Sequence, residues 1–430
     1  MRNINGAHAT GDDFFGREPE LLRLVRTLLN DSVLLSAPRR VGKSSLILRL
    51  QELLRSGFQS HSLRQLLDEQ GLLKPILELT SVPIFINVED CTSELEFAKK
   101  LAAGLQQQGH FRAGLQQELG SIIRTFMESV GVSKPPVPGL DLPLGDATVK
   151  STIRGLIDSL FSNVQAQSNS GRPIIAIDEL PEFLLALEKQ DHGVRRVSEF
   201  LHWLRALRQQ SSDCVRWIFL GSIGLDTFVD QRSLTKTLAG LVPMSLGAWE
   251  PNEADGFLRA IGPAVGLELD AAVRAEILEC AGWAIPYHLQ IIIQSLVELK
   301  SARLPVNGQS LTAVTTGDVA AAIERLLQPD GYMRFDTWRQ RLRDQLGDSE
   351  HRVAMLILKR LCTAPQGLPR ELLQLELLRF RPQDPPDATA ELLSRLLAML
   401  QRDGYLLEQD GQYAFRSFLL REYWHRREVR

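Results

Sequence analysis

The sequence predicts an α/β fold with a parallel sheet, followed by two smaller regions that are mainly helical. Three observations lead to this prediction. In the first 300 residues short apolar runs alternate with longer helical patterns, and beyond Pro251 the pattern becomes helical. The last hundred residues then end in a hairpin signal. Alternating strands and helices are typical of a parallel sheet that carries helices on both faces.

The predicted strands are short runs that are apolar along almost their whole length. A strand has this composition where helices cover both faces of the sheet, so the runs predict a doubly wound core. The strands are Val33–Ala37, Ile84–Val88, Ile174–Asp178 and Trp217–Gly221, with a weaker fifth near Met244–Leu246.

We predict three domains from these patterns. Residues 1–250 form the α/β core, with a surface insertion at about 101–170, because three prolines within Pro135–Pro138 forbid a helix there. Residues 251–330 form a small helical domain. Residues 331–430 contain three helical patterns and a hairpin around Asp410-Gly411, an order that resembles a winged helix.

Composition excludes several classes of protein. The chain has 430 residues, 44% of them hydrophobic and 23% charged, which excludes a disordered or fibrous chain. Its four cysteines show neither a disulfide framework nor zinc-ligand spacing. The first sixteen residues lack an apolar signal region and no run of eighteen apolar residues occurs, so we expect a cytoplasmic protein without a membrane partner.

The segment after the first strand has the pattern of a phosphate-binding loop. Such a loop needs main-chain N–H groups that converge on oxygens, a lysine for the phosphate charge and a hydroxyl for Mg²⁺. Gly42, Lys43 and Ser44 meet these needs, and the helix that follows adds its positive N-terminal dipole. Ala37 stands where the pattern has glycine, although alanine enters positive φ less easily. The predicted nucleotide contacts of the loop are Ala37, Pro38, Arg39, Arg40, Val41, Gly42, Lys43, Ser44 and Ser45.

Two further strand ends carry candidate catalytic residues. Ile174–Asp178 is followed by Glu179, and ligands bind beyond the carboxyl ends of parallel strands. Asp178 can therefore reach a Mg²⁺ ion held by Ser44, and Glu179 can activate water. After Trp217–Gly221, the Ser222 hydroxyl can sense the γ-phosphate or orient water. Taken singly, each of these residues also fits an ordinary polar strand end.

Five segments together resemble the archaeal-type ATPases of the STAND class, which are relatives of AAA+ and origin-recognition ATPases. They are the opening Phe-Phe-Gly-Arg-Glu of residues 14–18, the phosphate loop, the Ile-Asp-Glu and Leu-Gly-Ser strand ends, and the Ile-Pro-Tyr-His-Leu-Gln of residues 285–290. The likeness covers about residues 14–296, and a winged helix is expected after it.

The resemblance implies a P-loop NTPase with sheet order 5-1-4-3-2, a helical lid and a C-terminal winged helix. It implies an ATP-binding and ATP-hydrolysing conformational switch that uses Mg²⁺ and acts through a partner protein. It also implies that Gly16, Arg17 and Pro286 flank the adenine. The residues expected to act in hydrolysis are Lys43, Glu179 and Ser222.

Arginines offer further candidates. Arg205 and Arg208 lie in one helical pattern, and either can serve as an arginine finger in a homo-oligomer. A solvated helix face is the alternative interpretation. Arg39 and Arg40 can likewise meet phosphate or a neighbouring subunit, or form a polar rim of the loop.

A role on DNA is the second functional hypothesis. Residues 331–430 carry 17 Lys and Arg against 14 Asp and Glu, a small excess, within a chain of net charge −3. The candidate recognition helix at residues 388–401 is mostly apolar, so protein–protein contact is favoured over a DNA-associated loader or regulator. A nucleotide-bound scaffold with little turnover is the third hypothesis.

Overall fold

The structure, a computed structural model, describes residues 1–4, 7–59, 61–79, 83–106, 154–155, 157–158, 161, 172–213, 215–221, 225–300 and 311–429. Their contacts divide the chain into two units. The sheet unit comprises Glu18–Ser36 and Leu46–Ser245, and the helical unit comprises Met1–Arg17, Ala37–Ser45 and Leu246–Arg430. The phosphate loop therefore groups with the helical unit, a grouping that the sequence does not predict.

The sheet unit contains a five-stranded parallel sheet. Its strands are β1 (Ser32–Ser36), β2 (Ile84–Asn87), β3 (Ile174–Asp178), β4 (Arg216–Gly221) and β5 (Leu241–Ser245). Their order is β2-β3-β4-β1-β5, which is the predicted order read from the other edge, so that prediction is confirmed. β5 begins earlier than predicted and includes Pro243, which an edge strand tolerates because one side of it carries no ladder.

Helices join the strands of the sheet. They are α1 (Glu18–Leu28), α2 (Lys43–Arg55), α3 (Ser62–Glu69), α4 (Leu73–Leu79), α5 (Glu94–Gln106), α6 (Leu180–Glu188), α7 (Gly193–Gln210) and α8 (Leu225–Asp230). Every residue of β3 and β4 is buried, as expected for strands covered on both faces. The rings of Phe97, Phe183 and Phe200 pack at 5.1 to 5.4 Å, and Trp217 stacks between Phe161 and Phe219.

The first half of the helical unit contains four helices with sequence-encoded starts. They are α9 (Pro251–Ala264), α10 (Ala271–Ala281), α11 (Pro286–Lys300) and α12 (Thr316–Leu326). Asp270 caps α10 by accepting from the Val273 N–H, and Thr315 forms a capping box with Asp318. Two short parallel strands, β6 (Leu267–Glu268) and β7 (Thr312–Ala313), pair in this region and were not predicted.

The C-terminal part of the helical unit has the element order of a winged helix. It comprises α13 (Met333–Gln345), α14 (Asp348–Cys362), β8 (Leu368–Pro369), α15 (Arg370–Phe380), α16 (Pro386–Arg402), β9 (Leu406–Gln409), β10 (Gln412–Phe415) and α17 (Phe418–Glu428). The strands form an antiparallel sheet in the order β8-β10-β9. The three helices and the hairpin are confirmed, whereas α13 and α17 are additional.

Part of the predicted domain organisation concerns residues that the structure does not describe. The insertion expected at about 101–170 lies outside the described residues, apart from 101–106 in α5 and five residues between 154 and 161. The split of 251–430 into lid and winged-helix domains stays a prediction. Among the described helices, none has the length and apolar composition needed to cross a membrane.

Candidate nucleotide-binding site

The phosphate loop follows β1 and ends where α2 begins, at Lys43. Within the loop, positive φ occurs at Arg40, at 67°, and at Gly42, at 99°. Ala37 is buried and does not belong to the described residues with positive φ. The alanine at position 37 therefore does not have to adopt the positive φ that glycine reaches more easily.

Lys43 lies at the start of α2 with only 6% of its surface exposed. Its ammonium group donates to the carbonyl oxygens of Ala37 and Pro38, at 2.9 and 3.0 Å. These bonds hold a positive charge over the loop at the N-terminal end of a helix, where the helix dipole also favours anions. Ser44 and Ser45 follow in the first turn, both partly exposed, and the Ser45 hydroxyl accepts from the Ala9 N–H at 3.1 Å.

Gly16 and Arg17 form a turn in which both residues have positive φ. A side chain at position 16 would collide with Glu253, since a Cβ there would lie 2.1 Å from the carboxylate. The same carboxylate accepts from the Arg17 N–H at 2.6 Å. Sequence reasoning missed Glu253, whose place in the first turn of α9 gave no sign of a partner more than 200 residues away.

The Arg17 side chain contacts the phosphate loop. Arg17 is 3% exposed, and its guanidinium donates to the carbonyl oxygens of Val41, at 3.2 Å, and Gly247, at 2.7 Å. A buried guanidinium that bonds main-chain carbonyls fixes the positions of those segments. Arg17 therefore supports the loop through Val41, and it also lines the cleft beside it.

A cleft with an apolar aromatic lining lies beside the loop within the helical unit. It encloses about 370 Å³ of empty space, counting the part open to solvent. The aromatic rings pack edge to face or tilted, with Phe15 6.0 Å from Trp249 and 5.8 Å from Phe257. The residues most relevant to a flat ligand are Phe14, Phe15, Trp249, Phe257, Pro286 and Gln290. The structure thus brings Arg17, Val41, Gly42, Ser45 and Pro286 to one cleft.

Arg40 points its side chain at Tyr287, the second residue of α11. The guanidinium carbon lies 3.8 Å from the centre of the Tyr287 ring, and Nη2 donates to the Thr337 hydroxyl at 3.4 Å. Burial lowers the pKa of Arg40 and raises the pKa of Tyr287. Tyr287 lies in the segment of residues 285–290 that carries the family resemblance, but no role was predicted for it. Its position directly after Pro286 is the sequence feature that could have indicated one.

The acidic pair lies at the carboxyl end of β3 in the sheet unit. Asp178 is 1% exposed, and its Oδ1 accepts from the Glu179 N–H at 3.0 Å. Glu179 is partly exposed and adopts a left-handed conformation, with φ of 57°, at the start of α6. Residues other than glycine that hold this conformation are concentrated at functional sites. The ends of β1, β3 and β4 lie at the same edge of the sheet because all three strands are parallel.

Three further predicted residues are Ser222, Arg205 and Arg208. Ser222 lies outside the described residues. Arg208 is 7% exposed, and its guanidinium donates to the carbonyl oxygens of Thr237 and Ala239 and lies 5.7 Å from the Phe219 ring. Burial lowers its pKa to about 10. This placement contradicts the arginine-finger hypothesis for Arg208, because the guanidinium is buried and already donates to carbonyl oxygens of its own chain. Arg205 is partly exposed on α7, and its role stays a prediction.

Two solved structures share the fold of this chain. The Walker-type ATPase of Pyrococcus abyssi is 18% identical to this chain, with a TM-score of 0.58 over 99% of this chain and 100% of that one. The ORC2 protein of Aeropyrum pernix, in ADPNP–ADP complexes, is 9% identical, with a TM-score of 0.50 over 96% of this chain and 92% of that one. No protein-family model and no curated protein matches the chain. The likeness confirms the predicted P-loop NTPase fold, and at these identities it shows the fold alone.

Proposed function

We propose that this protein binds ATP and hydrolyses it slowly with Mg²⁺, and that the cycle changes its conformation to act on a partner protein. The observation that carries the proposal is the combination of a buried lysine on the phosphate loop with an aromatic cleft beside that loop, within one unit. A triphosphate with a flat, apolar base presents the complementary features. Support also comes from the two solved structures with this fold, one of a Walker-type ATPase and one of an ORC2 protein in ADPNP–ADP complexes.

In this proposal the cleft binds the base of the nucleotide and the loop binds its phosphates. Phe14, Phe15 and Pro286 offer apolar surface to a purine ring, and aromatic contacts of this kind stabilise flat rings. The loop offers the Lys43 ammonium and the N-terminus of α2 to the phosphates. Gly42 suits close approach of phosphate, because no atom lies within 4 Å of the place where a side chain would begin.

The residues present fit a Mg²⁺ ion. Mg²⁺ prefers oxygen ligands and binds through one or two protein oxygens together with substrate phosphates. The Ser44 hydroxyl and the Asp178 carboxylate are oxygen donors of this kind. When bound, the ion would neutralise charge on the phosphates. Ser44 and Asp178 would hold it.

Glu179 is the proposed general base. Its carboxylate accepts a proton from the water that attacks the γ-phosphorus, while the bond from that phosphorus to the β–γ bridging oxygen breaks and ADP leaves. Glu179 directly follows β3 and stands at the start of α6. Ser222 is proposed to sense the γ-phosphate, and Arg205 to act as an arginine finger between subunits.

The substitution Lys43→Ala tests ATP binding. We expect loss of at least about a hundredfold in affinity, because the variant loses the charge that faces the phosphates. Isothermal titration calorimetry measures the affinity, and the rise in melting temperature with ATP gives a second readout. Lys74→Ala, at an exposed lysine paired with Glu78, is the matched control and should bind as wild type. Wild-type affinity in Lys43→Ala would refute the assignment of the site.

The substitution Glu179→Gln tests hydrolysis separately from binding. The amide keeps the shape of the side chain but accepts no proton, so we expect retained affinity and at least about a hundredfold slower phosphate release. Glu182→Gln, within the first turn of the same helix, should release phosphate at the wild-type rate. If wild type itself releases no phosphate, the nucleotide-bound scaffold is the better description.

The partner is proposed to be a protein rather than DNA. On α15, the side chains of Leu372, Leu375 and Phe380 are about half exposed, which suits an apolar protein contact better than a phosphate backbone. On α16, Arg395 already pairs with Glu350. Phosphate release measured with and without duplex DNA separates the two hypotheses, since stimulation by DNA that weakens with added salt would favour the DNA-associated loader.

A further inference from the structure

Arg40 occupies a position of the phosphate loop at which glycine would be easier to accommodate. Its φ of 67° lies in the left-handed region, which is strained for a residue with a Cβ. A strained conformation of this kind persists only where surrounding contacts impose it. The Arg40 side chain makes contacts that a glycine could not.

Those contacts connect the loop to two helices. The guanidinium lies over the face of Tyr287 on α11, at 3.8 Å from the ring centre, which is a close cation–π approach. It also reaches the Thr337 hydroxyl on α13 at 3.4 Å. Tyr287 is 7% exposed, and its own hydroxyl donates to the Arg334 carbonyl oxygen at 3.0 Å, so the ring is held in place from both sides.

A second contact brings the same loop against the C-terminal part of the helical unit. A Cβ at Gly404 would lie 3.1 Å from the Cβ of Pro38 and 2.7 Å from the ring of Trp283. Gly404 has positive φ and follows α16. The start of the loop thus packs closely against the chain after α16, and Arg40 fixes its middle.

We propose that Arg40 is a positioning residue that holds the phosphate loop in its binding conformation by bracing it on Tyr287 and Thr337. The inference rests on the proposed nucleotide site and adds to it a residue that need not touch the nucleotide. Because coupling between two sites is reciprocal, ATP at the loop also stabilises α13 through Arg40.

Arg40→Gly is the decisive variant, since it removes the brace and relieves the positive φ at once. We expect ATP affinity to fall about tenfold, a change of about 1.4 kcal/mol, while the melting temperature without nucleotide changes little. Tyr287→Leu should lose affinity to a similar extent, and the double variant should lose no more than either single one. Arg40→Lys, which keeps the charge, should recover part of the affinity.

Arg421→Leu is the matched control for loss of an arginine from an aromatic face. Its guanidinium lies 5.1 Å from the Phe418 ring centre in the same unit and pairs with Glu422, and the variant should bind ATP as wild type. Hydrogen exchange gives an independent readout. ATP should slow exchange within residues 333–345 of wild type and of Arg421→Leu, and should leave these amides unchanged in Arg40→Gly.

The outcomes separate this inference from the proposed function. If Arg40 only forms a polar rim, Arg40→Gly will raise the melting temperature and keep wild-type affinity and protection, which overturns the proposal. If Lys43→Ala binds ATP normally, the nucleotide site is wrong. The brace is then judged without nucleotide, by whether Arg40→Gly speeds exchange in 333–345 while Arg421→Leu does not. Equal exchange in the two variants rejects it.

Discussion

The sheet unit and the helical unit are stabilised in different ways. In the sheet unit, apolar strands and aromatic rings such as Phe97, Phe183 and Trp217 fill the core. Buried polar groups join separate segments in both units, as Arg208 does in the sheet unit, and in the helical unit they include a support of the phosphate loop. Arg17 reaches the carbonyl of Gly247, the Tyr405 hydroxyl donates to the Trp338 carbonyl, and the Ser417 hydroxyl donates to the Ala281 carbonyl.

This difference follows from what each unit must accomplish. A parallel sheet covered on both faces needs shape and apolar area, and many apolar residues can supply them. A loop that receives phosphate must be held in one conformation, and hydrogen bonds to main-chain groups specify position more narrowly than apolar contact does. The comparison predicts larger losses of stability from cavities in the sheet unit and smaller, position-dependent losses in the helical unit.

Trp217→Ala should have the largest effect. The side chain is fully buried between Phe161 and Phe219, and replacing a buried tryptophan with alanine costs about 3 to 5 kcal/mol. The shift of the urea unfolding midpoint measures the loss. Val194→Ala in the same unit is the control, because Val194 is 62% exposed and its truncation should cost less than about 0.5 kcal/mol. Equal losses in the two variants would contradict the assignment of the core.

The pH dependence of stability tests a buried polar group of the helical unit. His288 is fully buried, and its Nδ1 lies 3.2 Å from the Trp283 carbonyl oxygen, to which it donates. Burial lowers the pKa of His288 to about 4 from 6.5. The unfolded chain therefore binds a proton that the folded chain does not between these pH values, so stability falls as the pH drops from about 6.5 to about 4.

The loss attributed to His288 across this range is on the order of 3 kcal/mol. His288→Gln keeps a donor but does not titrate, so it should lack this part of the pH dependence. The difference in unfolding free energy between wild type and variant is first measured at pH 8, where both side chains are neutral, and this value serves as the reference. If that difference stays constant down to pH 4, the histidine does not control acid stability.

The sequence predicts most of the sheet because the information there is local. Short apolar runs such as Ile174–Asp178 identify the strands without knowledge of any partner, and the resemblance supplies their order. The pattern at Gly42, Lys43 and Ser44 likewise identifies the phosphate loop from a few neighbouring residues. At these places, residues that are consecutive in the chain determine the local structure.

The supports of the loop could not be predicted in this way. Glu253 holds the turn at Gly16 and Arg17, and Tyr287 faces Arg40, although more than 200 residues separate the members of each pair. No spacing rule joins positions so distant. The sequence pattern likewise does not reveal that the loop takes its positive φ at Arg40 and Gly42, while Ala37 stands at the position of the first glycine. The arginine-finger hypothesis for Arg208 failed because periodicity places it on a helix without revealing that its side chain is buried.

Of the three substitutions, Arg17→Met should have the smallest effect on stability. It tests most directly whether buried hydrogen bonds in the helical unit hold the phosphate loop. Methionine fills much of the space of the arginine stem but cannot donate to the carbonyl oxygens of Val41 and Gly247. Leaving buried acceptors without this donor costs about 1 to 3 kcal/mol, less than a large cavity in the sheet unit. Arg23→Met is the matched control, since Arg23 is exposed and its one main-chain contact is long, at 3.5 Å. Urea unfolding measures the stability of both variants, and titration with ATP measures their affinity. If Arg17 supports the loop, Arg17→Met weakens ATP binding as well as stability. Arg23→Met should change neither. A loss of stability with wild-type ATP affinity would mean that Val41 keeps its position without the guanidinium.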